Sequence, residues 1–113
     1  MEPNEPKIKV EYGTEVTIAT FDVDNILEDR QIKKVEAALQ PVVEKNEQRK
    51  LVLNFENVRF MSSAFLGLLV KVHKHVIEAG GHLQLFNLDP KIYKVFQITQ
   101  LTKIFDIVQP EKQ

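Results

Sequence analysis

An α/β fold, with a mixed sheet that is antiparallel at its N-terminal edge and parallel at its centre, is what three features of this sequence predict. Residues 8–20 alternate apolar and polar side chains on both sides of Gly13-Thr14, the pattern of a half-exposed hairpin. Two apolar runs of strand length, Leu51-Val52-Leu53 and His82 to Phe86, then each precede a stretch of helical periodicity. Strands joined through helices pair in parallel, because the crossover carries the chain back to its starting edge. The helices are expected to cover the sheet.

The elements follow in order. Met1-Glu2-Pro3-Asn4-Glu5-Pro6 reads as a disordered lead-in, and residues 7–113 as a single domain. Ile8, Val10 and Tyr12 form the first strand; Val16, Ile18 and Thr20 continue the pattern in the second. Phe21 to Asn25 is a loop. Ile32, Val35, Leu39 and then Val42 or Val43 mark a helix, which Pro41 is expected to kink or end near Gln40 by removing a backbone donor. After the strand at Leu51, residues Asn54 to Phe60 form an exit turn. Ser62 then caps a helix that stops at Gly80-Gly81, where glycine permits left-handed backbone angles. Asp89-Pro90 starts a third helix, with Ile92, Val95, Phe96 and Thr99 on its buried face. Leu101 and Ile104 to Val108 give a last short strand or an apolar tail.

Composition narrows the function. A chain of 113 residues suffices for one core without staples, and the absence of cysteine excludes disulfides and thiolate metal sites. The 16 acidic and 15 basic residues nearly cancel, so nothing electrostatic points to nucleic acid or an anionic membrane. No apolar run reaches the length of a membrane span, and the N-terminus is unlike a signal peptide. A soluble cytoplasmic protein is the expectation.

The helix after Ser62 is the unusual element. At about 100° per residue, Ala64, Phe65, Leu66, Leu68, Leu69, Val70, Val72, Val76 and Ile77 spread over an arc of roughly 240°. Covering one face of a sheet needs a stripe of only about 100° or slightly more. Something besides the sheet must meet this helix, either a neighbouring helix or a partner protein docking around Ser62. In the second case Phe60, Met61, Phe65 and Leu66 make an apolar docking surface. A phosphate on the serine would add about −1.5 to −2 charge there, tolerated by the helix N-terminus but badly placed in an apolar contact.

Other candidates are weaker. His73 and His75 point about 200° apart on a helix and cannot share a metal. His82 stands alone at a strand start, so no metal or cofactor is expected. Asp22 and Asp24 read first as capping carboxylates, with Asp22 the better functional candidate. Ser62 lacks both a histidine base and a nucleophile elbow, and no phosphate-cradling glycine loop occurs, so catalysis is not expected.

Several of these stretches together resemble the STAS domain of bacterial anti-sigma factor antagonists. They are the strand and exit from Leu51 to Phe60, the pair Ser62-Ser63, and Phe65-Leu66-Gly67-Leu68-Leu69. Gly80-Gly81 before a strand ending Leu85-Phe86-Asn87, and the tail Val95-Phe96-Gln97-Ile98-Thr99-Gln100-Leu101, complete the likeness from about Lys7 to Val108. The resemblance implies a regulatory binding module. Its partner would be an anti-sigma factor with serine kinase activity, bound by the unphosphorylated protein and released on phosphorylation. Carried over, Ser62 is the acceptor, Ser63 its neighbour and alternative, and Asp22 lies near the same surface with Phe60, Met61, Phe65 and Leu66. Two departures stand out: Met61 where the family usually has aspartate, and Ala64 where it has glycine. The alternatives are a STAS scaffold or accessory subunit of a signalling or lipid-transport complex that is never phosphorylated, and a small-ligand binder. The exposed apolar helix face equally suits a homodimer contact.

Overall fold

The computed structural model describes residues 7–46 and 49–109; the expected lead-in at 1–6 lies outside them. Alternating apolar residues fold the start of the chain into β1 (Ile8–Tyr12) and β2 (Val16–Phe21), an antiparallel pair turned at Gly13. There follow β3 (Asn25–Ile26), α1 (Asp29–Asn46), β4 (Lys50–Asn54), β5 (Phe60–Met61), α2 (Ser63–Glu78), β6 (His82–Phe86), α3 (Pro90–Ile98), a 3-10 turn (Leu101–Lys103) and β7 (Asp106–Val108). The main sheet has the order β1-β2-β4-β6-β7, parallel from β2 onward. The mixed α/β sheet expected from the sequence is the one observed.

Each crossover from β2 through β7 steps in the same direction across the sheet. Right-handed crossovers therefore place α1, α2 and α3 on one face. Burial agrees with this. Thr17, Ala19, Phe21, Leu51, Leu53, Leu83 and Leu85 are buried beneath the helices, while the alternate residues Ile18, Val52 and Gln84 on the other face are half-buried. The inward set of β2 is thus the odd-numbered one, not Val16, Ile18 and Thr20. Polar Thr17 hides this phase in the sequence, and the small Ala19 leaves room for the helices above.

Two further expectations are corrected. Pro41 does not end α1, which continues to Asn46. Val42 is buried and Val43 half-buried, so the apolar stripe pulls the last turn onto the core. Pro41 itself and Ala37, whose carbonyl loses its intrahelical donor, are both exposed, and water can satisfy that carbonyl. Pro41→Ala should accordingly raise stability by about 2 kcal/mol, the helix-propensity gain of about 3 kcal/mol being offset by roughly 0.4–1 kcal/mol from a more flexible unfolded chain. Urea unfolding monitored by circular dichroism reads this directly, and an unchanged midpoint would contradict it. In α3, Ile92 and Phe96 are buried, but Val95 and Thr99 face outward.

The terminal signals behave as their chemistry requires. α2 closes in a Schellman arrangement: Gly80 has φ 83°, the Gly80 N–H donates to the Ile77 carbonyl, and the Gly81 N–H donates to that of Val76. Asp89 caps α3 by accepting from the Lys91 N–H at 2.9 Å, with Pro90 in the first turn. At the far edge, His82 and Gln84 both bond the Asp106 carboxylate, at 2.8 and 3.1 Å, which ties β7 to β6. These bonds hold the Asp106 carboxyl below its ordinary value. No helix among the described residues is long and apolar enough to cross a membrane.

Candidate functional site

The site is built around the turn that enters α2. After β4, Phe55 is drawn into the core, and the Phe55 N–H donates to the Phe86 carbonyl. The chain then climbs through Glu56–Arg59 and forms β5, which pairs in parallel with β3 through Asn25↔Phe60 and Ile26↔Met61. This small second sheet is invisible in the sequence, since two-residue strands have no period to detect. It has a clear consequence. The Arg59 and Phe60 N–H groups donate to the Asp24 carbonyl, and the Ser62 N–H donates to that of Ile26 at 3.0 Å. The β2–α1 loop is thereby laced to the serine turn.

Ser62 is the N-cap of α2, in extended conformation, and its hydroxyl oxygen accepts from the Phe65 N–H at 3.3 Å. Removing that acceptor in Ser62→Ala should lower stability by about 1 kcal/mol. Thermal unfolding would show the loss, and an unchanged midpoint would refute the cap. Ser63, the first helical residue, is exposed, as is Ala64. Of the serine pair, one hydroxyl is engaged by the backbone and the other is open.

Phe65 is not part of a docking surface. It is fully buried and makes edge contacts with Phe21 (6.2 Å between centroids) and Phe55 (6.5 Å), which stack on each other at 4.8 Å. The reason lies in helix phase. With Ser62 as cap, Phe65 falls on the same side as Leu68, Leu69, Val72 and Val76, all buried. This aromatic triad is the foundation of the turn, anchoring the start of α2 to β2 and to the exit of β4.

The apolar surface instead lies to one side, in a groove between β5, the first turns of α2, and α3. It is lined by Phe60, Met61, Ser63, Leu66, Ile92 and Val95, with the cationic Arg59 and Lys91 at its edges. Phe60 is 48% exposed and Val95 43%, high values for large apolar side chains. The Lys91 ammonium sits 4.5 Å from the centre of the Phe60 ring. Arg59 makes an ion pair with Asp24 at 3.5 Å, both side chains being well exposed. The groove thus unites four residues expected at the site (Phe60, Met61, Ser63, Leu66) and adds Arg59, Lys91, Ile92 and Val95, the last two expected only as part of the buried face of α3. Exposed Val95 and Lys91 carry no signal of their own in α3, where the helical pattern reads as plain core and surface.

Asp22 is exposed and belongs to the laced loop, with its backbone N–H bonded to the Lys7 carbonyl at 2.7 Å. The carboxylate that meets the groove's rim is that of Asp24. Elsewhere, His73 packs edge-on against Phe105 at 5.3 Å and His82 pairs with Asp106. Among the described residues no group of three potential ligands could hold a metal ion.

Comparison with known proteins places this arrangement in context. The STAS domain family profile matches residues 9–113. An anti-sigma F factor antagonist of Paenibacillus polymyxa is 22% identical over 105 residues, covering 93% of this chain and 88% of that protein. Among solved structures, an anti-sigma-factor antagonist (STAS) domain protein from Planctomyces limnophilus superposes with a TM-score of 0.78 at 22% identity, over 94% of this chain and 92% of the other. The Bacillus cell fate determinant SpoIIAA in its phosphorylated form gives a TM-score of 0.69 at 20% identity, over 94% and 93%.

Proposed function

The chain belongs to the STAS domain family, and on that premise we propose that it is an anti-sigma factor antagonist whose partner is an anti-sigma factor with serine kinase activity. The partner docks in the groove between β5, α2 and α3 and is released when the serine turn carries a phosphate. One observation carries this reading: an exposed serine hydroxyl lies among Phe60, Met61, Leu66, Ile92 and Val95, on the same surface that a partner would cover. A relative named as an anti-sigma F factor antagonist, and a similarly folded protein known in a phosphorylated form, support it.

The acceptor in this reading is Ser63 rather than Ser62. The Ser62 oxygen already serves the Phe65 N–H, and the residue is half-buried. Ser63 is open and faces the groove. A phosphate there sits at the first turn of α2, where unpaired N–H groups favour an anion, so the free domain tolerates it. In the complex the same charge would be stripped of water against apolar side chains, which costs several kcal/mol when no partner charge is supplied. The switch therefore acts on binding, with the fold unchanged.

The test is to isolate the anti-sigma factor that co-purifies with the chain and titrate it against isotopically labelled protein. A complex whose amide shifts concentrate on 59–66 and 91–95 supports the reading. A complex that leaves those residues unperturbed, or no anti-sigma factor among the co-purifying proteins, overturns it. Tight binding through this groove with no phosphorylation in any condition would favour the constitutive scaffold instead.

A further inference from the structure

The main sheet ends in two unlike edges. β7 is three residues long, whereas β1 runs for five with no strand on its outer side among the described residues. Hydrogen-bond phase fixes what that side offers. The Gly13 N–H donates to the Val16 carbonyl and the Asp22 N–H to the Lys7 carbonyl, so the odd-numbered residues of β1 bond to β2. Bonded and non-bonded pairs alternate along an antiparallel ladder, which turns the N–H and C=O groups of Ile8, Val10 and Tyr12 outward. An edge of this kind is a template for another strand unless something blunts it.

The side chains specify which strand. Lys9 and Glu11 are exposed on the face of the sheet away from the helices. Their neighbours across β2 are Thr20 and Ile18, and neither supplies an opposite charge. Like charges on an edge would repel a copy of the same strand, but here the two charges are opposite and two residues apart. Laid antiparallel on itself about Val10, β1 sets Lys9 against Glu11 of the second copy and Glu11 against its Lys9. In that register Ile8, Val10 and Tyr12 supply the hydrogen bonds, and the charged pairs fall at the non-bonded positions, where side chains lie closest. A slip of two residues either way would put lysine against lysine or glutamate against glutamate. A slip of one would oppose outward backbone groups with ones already bonded to β2.

The apolar side of the strand agrees with this register. Tyr12 is 49% exposed, and the pairing brings Ile8 of the second copy against it. The Lys45 ammonium, 5.5 Å from the centre of the Tyr12 ring, shows which flank of α1 lies above this edge. Pro41 and Ala38, four and seven residues earlier on that flank, are exposed and short, which leaves room for the neighbouring copy.

We infer that the outer edge of β1 is a homotypic interface: two copies pair antiparallel through Ile8, Val10 and Tyr12, with reciprocal Lys9–Glu11 ion pairs, and join their five-stranded sheets across a two-fold axis. This contact does not rest on the phosphorylation reading. No residue of β1 lines the groove at the serine turn, so the dimer presents two open grooves.

The experiment is sedimentation equilibrium of the full chain from about 1 μM to 1 mM, with amide hydrogen exchange at both ends of that range. The expected result is a monomer–dimer equilibrium in which the Ile8, Val10 and Tyr12 amides become protected as the dimer fills. Lys9→Glu and Glu11→Lys each leave two like charges on every strand, and each should weaken the dimer by at least about tenfold. Both positions are exposed, so the variants fold as the parent does, which their melting temperatures verify. Mixed in equal amounts, the two variants should form a heterodimer of about parental affinity, because an acidic strand then faces a basic one. A chain that stays monomeric throughout, a dimer indifferent to Lys9→Glu, protection confined to another face, or no association in the mixture would each overturn the inference.

Discussion

Ser63→Asp is expected to lower affinity for the anti-sigma factor by about a hundredfold or more, with the domain still folded. The carboxylate would stand at the first helical position of α2, where the helix dipole favours it by about 0.3–1 kcal/mol. Ser63 is exposed and makes no contact in the core, so nothing inside the protein must move. Docking changes the balance. The charge would be buried against Phe60, Met61 and Leu66, and an uncompensated buried charge costs about 3–5 kcal/mol. Arg59 and Lys91 at the edges of the groove offset part of that, which leaves a loss of roughly 3 kcal/mol, or about two powers of ten. Ser63→Ala should bind within about threefold of the parent, because it removes only an exposed hydroxyl. Calorimetric titration of the three proteins tests this. Parental affinity in Ser63→Asp would remove the electrostatic basis of the switch.

Phe65→Ala and Phe60→Ala should separate foundation from surface. Phe65 is fully buried in the triad with Phe21 and Phe55, and its truncation should cost about 3–5 kcal/mol through lost burial and the cavity left behind. Against a typical total of about 5–15 kcal/mol, that is enough to leave the domain marginal. Phe60 is half exposed at the groove, so Phe60→Ala should change stability by no more than about 1 kcal/mol. Its effect belongs to binding, where an aromatic anchor in the contact carries about 2 kcal/mol or more, a loss of about thirtyfold. Urea unfolding and titration of both variants give the comparison. A destabilised Phe60→Ala with a stable Phe65→Ala would invert the assignment.

These two phenylalanines also show what the sequence could and could not disclose. Both stand in one apolar stretch beside the serines, and hydrophobicity alone assigns both to the same surface. Only the phase of α2, set by Ser62 as cap, sends Phe65 inward. The excess apolar arc of α2 was a true signal, and its coverage proves to be divided. The sheet and α1 take Phe65, Leu68, Leu69, Val72 and Val76, Leu66 turns to the groove, and Val70 and Ile77 remain exposed. The mixed sheet, the Ser62 cap, the stop at Gly80-Gly81 and the Asp89-Pro90 start were legible because each rests on local chemistry with a strong residue preference. The β3–β5 pair was not, being two residues long and held by backbone bonds to Asp24 and Ile26. The persistence of α1 beyond Pro41 was hidden for another reason: tertiary burial of Val42 outweighed a local penalty that falls on the solvent side. Which hydroxyl of the serine pair the helix engages, that of Ser62, was likewise visible only in the structure.

The most direct test of the central claim is intact-mass analysis with site mapping of the protein taken from its native cells during growth and under stress. The account predicts a single phosphate on Ser63 whose occupancy changes with condition. A protein that stays unmodified in every condition, or that carries its phosphate on Ser62, would contradict it.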